Sequence, residues 1–85
     1  MLQSAQNTYT GDGAENRRIV TGLSGGIQLL FGQAEIGEGG YVRMGSQPGE
    51  AGGVAIDGPD FVVSASGGQA PNTLGEVWHW YATAQ

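Results

Sequence analysis

Glu76-Val77-Trp78-His79-Trp80-Tyr81-Ala82-Thr83 is the stretch whose conformation decides the architecture. Its aromatic and β-branched side chains disfavour helix and suit a strand. As a strand it sends Glu76, Trp78, Trp80 and Ala82 to one side and Val77, His79, Tyr81 and Thr83 to the other. Both sides carry large side chains, so both are expected to exclude water. One sandwich core covers one side only; the second side is expected to meet a neighbouring subunit.

Outward from this strand, glycine punctuates the chain. Of the 85 residues, 17 are glycine, and they gather in Gly11-Asp12-Gly13, Gly25-Gly26, Gly37-Glu38-Gly39-Gly40, Gly52-Gly53, Asp57-Gly58-Pro59 and Gly67-Gly68. Between them, residues 8–10, 18–23, 27–31, 41–44, 54–56, 61–65 and 77–83 are rich in β-branched and aromatic side chains. Short strands between turn signals predict an all-β chain, a small antiparallel β-sandwich or jelly-roll-like barrel of about seven short strands. A single β domain is expected over residues 8–85, preceded by a short N-terminal lead over residues 1–7. The glycines keep no three-residue period, so a collagen-like helix is excluded. Gly11, Asp12 and Gly13 read as a tight turn in which Asp12 caps backbone amides. Asn72, with Gly75 shortly after it, reads as a second turn leading into the last strand.

Eight acidic residues face only Arg17, Arg18 and Arg43, with no lysine, for a net charge of −5. Phosphate neutralisation needs clustered cations, so nucleic-acid binding is not expected, and an anionic membrane surface would repel the chain. No apolar run is long enough to span a bilayer, and Met1-Leu2-Gln3-Ser4 lacks the pattern of a signal peptide. Synthesis in the cytosol is therefore the expectation. With no cysteine and His79 as the only histidine, neither a disulfide nor a structural zinc site can brace the core. Self-association is the remaining way for so short a chain to bury more surface.

No residue constellation calls for catalysis, and no cofactor is expected. Ser24 in Gly22-Leu23-Ser24-Gly25-Gly26 misses the nucleophile elbow, and Gly37-Glu38-Gly39-Gly40 lacks the lysine and helix of a phosphate loop. The carboxylate pairs Glu35 with Glu38 and Asp57 with Asp60 read as solvent-facing charges. Asp12, Glu15 and Asn16 could offer oxygens to calcium, but their spacing is not that of an EF-hand loop, and a solvated turn is the favoured reading. His79 reads as an interface or core residue ahead of a ligand-stacking or pH-sensing one. Arg17 and Arg18, adjacent on a strand, point to opposite faces, and an intersubunit contact with a carboxylate is expected of them.

Several stretches resemble a module of bacteriophage tail-fibre and other virion proteins. Tyr9-Thr10-Gly11-Asp12-Gly13 with Arg17-Arg18-Ile19-Val20 and Gly22-Leu23 is similar to its "YTGDG … R-x-I … G-hydrophobic" opening. Residues 27–31 look like its next strand, and Asp60-Phe61-Val62-Val63 like its late "GF-x-V" strand. The run from Asn72 to Ala82 looks like its closing "N-x-x-G-x-x-Y-x-W-x-A" element, with Trp78 where tyrosine is common. The middle departs from the pattern, being short and glycine-rich. The resemblance implies a compact β-sandwich without catalytic activity, and it marks turns and core, not a ligand site.

The expected function is that of a structural virion protein at the particle surface. It would be a capsid decoration (cement) protein or fibre component, self-associating with a trimer favoured, and docking on major capsid or tail proteins. Arg17, Arg18, Trp78, His79, Trp80 and Tyr81 are its candidate interface. The alternative is a lectin-like tip that binds host surface glycan, stacking sugar on Trp78, Trp80, Tyr81 or Tyr41.

Overall fold

The computed structural model describes residues 3–35, 37, 41–44 and 52–85. Glu38, Gly39 and Gly40 lie outside the described residues, as does the side chain of Tyr41. Among the described residues seven strands follow in chain order: β1 (Ser4–Thr10), β2 (Arg17–Ile19), β3 (Ile27–Gly32), β4 (Tyr41–Met44), β5 (Val54–Asp57), β6 (Asp60–Val63) and β7 (Val77–Ala84). They form a four-stranded sheet ordered β1-β7-β3-β4 and a three-stranded sheet ordered β2-β6-β5. Every pairing is antiparallel. The fold is a small all-β sandwich.

The first strand begins earlier than residues 8–10 suggested. Ser4 pairs with Thr83 and Asn7 with Trp80, so residues taken for a lead are part of the sheet. Their polar side chains give no apolar alternation because β1 lies at an edge and buries little besides Tyr9. In the other direction β2 stops at Ile19, and Val20 is left exposed.

Alternation along the strands sorts the core. Trp78, Trp80 and Ala82 of β7 point inward with Ile27, Leu29 and Phe31 of β3, and meet Ile19, Phe61, Val63 and Val54 from the other sheet. Phe31 lies 5.3 Å from the Trp78 ring within one sheet, and Phe61 meets the Trp80 ring edge-on at 5.6 Å across the two. Such pairs add about 0.5–1.5 kcal/mol each beyond the area they bury.

Two glycine positions allow the turns to close. A Cβ on Gly11 would overlap the carbonyl oxygen of Thr73, and one on Gly68 would overlap the backbone of Gly52. Each marks a place where two backbones touch with no room for a side chain.

Candidate functional site

Asn72 ties the first turn to the segment that leads into β7. Its side chain is fully buried. Its Nδ2 donates to Asp12 Oδ1 at 2.6 Å and to the Ala14 carbonyl at 2.8 Å. Its Oδ1 accepts from the Asp12 amide and from Arg17 Nη1, both at 3.2 Å. A carboxamide offers two donors and two lone pairs, so its capacity is filled. The backbone adds to the clasp: Gly13 N donates to Asn72 O, Asn72 N to Ser64 O, Gly11 N to Glu76 O and Gly75 N to Gly11 O. Gly13 and Gly75 take positive φ of 80° and 85°, which fits their reading as turn residues.

Tyr9 and Arg17 complete the cluster. The buried Tyr9 hydroxyl donates to the Pro71 carbonyl at 2.7 Å, and the Arg17 guanidinium lies 5.3 Å over its ring. Burial pushes the phenol well above its ordinary range, against the opposing pull of Arg17. Arg17 Nη1 also donates to the Thr10 carbonyl at 2.7 Å, and its Nε lies 3.6 Å from Asp12 Oδ2. The Ala14 amide, and then the Asn72 side chain, hold the Asp12 carboxyl below the usual carboxylate range. Asp12 thus caps a backbone amide as its turn chemistry predicts, with Ala14 N at 3.0 Å. Asn72 was legible as a turn residue but not as a buried hub.

Arg18, Asp57, Asp60 and Glu15 also find partners within the chain. Arg18 bridges Asp57 at 2.6 Å and Asp60 at 3.3 Å, and these two carboxylates raise its already high pKa. The hydroxyls of Ser64 and Ser66 donate to the Glu15 carboxylate and hold its pKa low, Ser64 the more strongly. Asp12 and Glu15, considered together as calcium ligands, are engaged by different neighbours and do not converge. Arg17 and Arg18 thus each meet a carboxylate of their own chain.

Trp78 and Trp80, placed at an interface in the sequence reading, are core residues instead, each 4% exposed. The β7 alternation assigned them to one face correctly; that face is the sandwich interior. The opposite face is the outer face of the four-stranded sheet. There Val77 is 47% exposed, and His79, Tyr81 and Thr83 are half-buried. Opposite them in register stand Thr10, Thr8, Gln6 and Ser4 of β1, and Gly32, Leu30 and Gln28 of β3. A cleft of ≈290 Å³ opens beside this row, lined by Gln6, Asn7, Thr8, Glu35, His79 and Trp80.

No family model, no curated protein and no solved structure matches this chain.

Proposed function

We propose that the chain is a structural protein of a bacteriophage particle. It is a capsid decoration protein or fibre component at the virion surface, working by self-association and by docking on other virion proteins. One observation carries the assembly half of this reading. The outer face of β7 presents Val77, His79 and Tyr81 incompletely covered by their own chain. Aromatic and aliphatic side chains on a sheet face favour contact with another protein surface. The virion half rests on the resemblance of the Tyr9–Gly13 turn and the closing element to phage modules. In this fold those same residues clasp the first turn to the segment that leads into β7, which supports reading them as scaffold.

Light scattering with native mass spectrometry tests the assembly. An oligomer that weakens on Tyr81→Ser supports it, and a folded monomer at every concentration overturns it. Cryo-EM of the parent particle tests the location, with the density expected on its outer surface.

The cleft beside His79 favours a second reading, a glycan-binding tip. It joins amide, hydroxyl and carboxylate groups to an aromatic wall, a lining that suits a sugar ring. Trp78 and Trp80 have no exposed ring face to offer, so stacking in the cleft falls to His79. A blank glycan array removes this reading.

A further inference from the structure

The hydrogen-bond parity of β1 shows which of its backbone groups are free. Ala84 N donates to Gln3 O, and Gly11 N donates to Glu76 O. Both contacts keep the β1–β7 register, so the odd-numbered residues of β1 turn their amides and carbonyls towards β7. Those of Ser4, Gln6, Thr8 and Thr10 point the other way, to the open side of an edge strand. Two of these groups are already occupied: Thr8 N donates to Asn7 Oδ1 at 2.8 Å, and Thr10 O accepts from Arg17. Among the described residues, both amide and carbonyl of Ser4 and Gln6, and the Thr8 carbonyl, remain for another strand.

Edge strands are usually guarded by lysine, proline, a bulge or an inward charge. β1, Ser-Ala-Gln-Asn-Thr-Tyr-Thr, has no charged residue and no proline over its seven residues. This is notable in a chain of net charge −5, whose copies should otherwise repel. We propose that β1 pairs antiparallel with β1 of a second copy about a two-fold axis at Gln6. This deepens the assembly reading given above, and rests on it, by adding a contact at the sheet edge, with its symmetry, beside the outer face of β7.

The register follows from the free groups. With Gln6 facing Gln6 of the second copy, Ser4 faces Thr8, and every outward amide and carbonyl from Ser4 to Thr8 lies opposite another. A register centred further along the strand needs the Thr10 carbonyl, which Arg17 holds. Each Thr8 amide must leave Asn7 to reach the facing Ser4, so Asn7 acts as a removable guard. The product is one continuous eight-stranded sheet. Its outer surface runs unbroken from His79 and Tyr81 of one copy, across both β1 strands, to the same residues of the other. An isologous contact of this kind yields an even-numbered assembly, in place of the trimer expected from the sequence.

Native mass spectrometry and light scattering on the full chain decide this, using three variants. Gln6→Pro removes an outward amide at an edge position that tolerates proline, and should weaken the dimer about tenfold or more. Gln6→Glu and Gln6→Lys each place like charges on the axis and should be monomeric alone. Mixed, they should form a one-to-one heterodimer, which decides the matter even if the proline variant does not fold. A wild-type monomer overturns both this pairing and the assembly reading. An oligomer indifferent to all three substitutions, or a trimer, overturns the β1 pairing alone.

Discussion

Asn72 Nδ2 meets Asp12 Oδ1 at 2.6 Å, joining residues 60 positions apart in the chain and completing a carboxamide whose every donor and acceptor is used. Asn72→Ala would take a partner from the Asp12 amide, the Ala14 carbonyl and the Arg17 fork and leave a void where the buried carboxamide sat. A loss of about 3 kcal/mol is expected, seen as a lower urea midpoint with an unchanged slope. A midpoint within error of wild type would show the clasp to be dispensable.

The crowded and the merely twisted glycines should separate cleanly. Gly11→Ala forces a methyl group onto the Thr73 carbonyl and should prevent folding or cost several kcal/mol. Gly22 has a φ of 80° but open space around it, so Gly22→Ala should cost only about 1 kcal/mol. Thermal melts of the two variants, run side by side, give the comparison; equal losses contradict it.

Stability should fall at both ends of the pH scale for identifiable reasons. Asp12 and Glu15 have lowered carboxyl pKa values, so their contribution is present above the unfolded value and disappears as pH drops through the folded one. The midpoint should therefore hold down to about pH 4–5 and decline below it, with a shallower decline in Glu15→Gln. The Tyr9 phenol is raised, so its contribution is complete below about pH 10 and is lost as pH climbs further. Tyr9→Phe should flatten the alkaline limb while costing about 1 kcal/mol near neutrality through the lost bond to Pro71. Urea titrations across pH test both limbs.

Arg17 and Arg18, neighbours in sequence, should respond differently to substitution. Arg18 pairs with Asp57 and Asp60 at the exposed surface, and Arg18→Ala should cost no more than about 1 kcal/mol, less in high salt. Arg17 reaches the Thr10 carbonyl and Asn72 while covering the Tyr9 ring, and a lysine cannot reproduce that fork. Arg17→Lys should therefore cost more than Arg18→Lys, by about 1 kcal/mol or more. The reverse order in denaturant unfolding would contradict these assignments.

Strand positions were largely legible because the turns announce themselves. β3, β4 and β5 begin where the apolar runs after the glycine clusters begin, and the alternation of Trp78, Trp80 and Ala82 against Val77, His79 and Tyr81 is realised in β7. The polar start of β1 was hidden, since an edge strand needs few apolar residues and leaves little period-two signal. Which face of β7 would be the interior was hidden too: tryptophan serves a core and an interface equally well. The Asn72 hub could not be read at all from local spacing, because its partners on the Asp12 turn are brought to it only by the pairing of β1 with β7.

That pairing also orders events during synthesis. β7 lies between β1 and β3, yet the six other strands of the described residues precede it in the chain. Until it is made, the strands that will flank it have unsatisfied rims facing an empty slot, and Ile27, Leu29 and Phe31 lack the tryptophans that seal them. A nascent chain halted before Val77 is thus a sticky, open half-sheet, and insertion of β7 joins its two parts and covers the core.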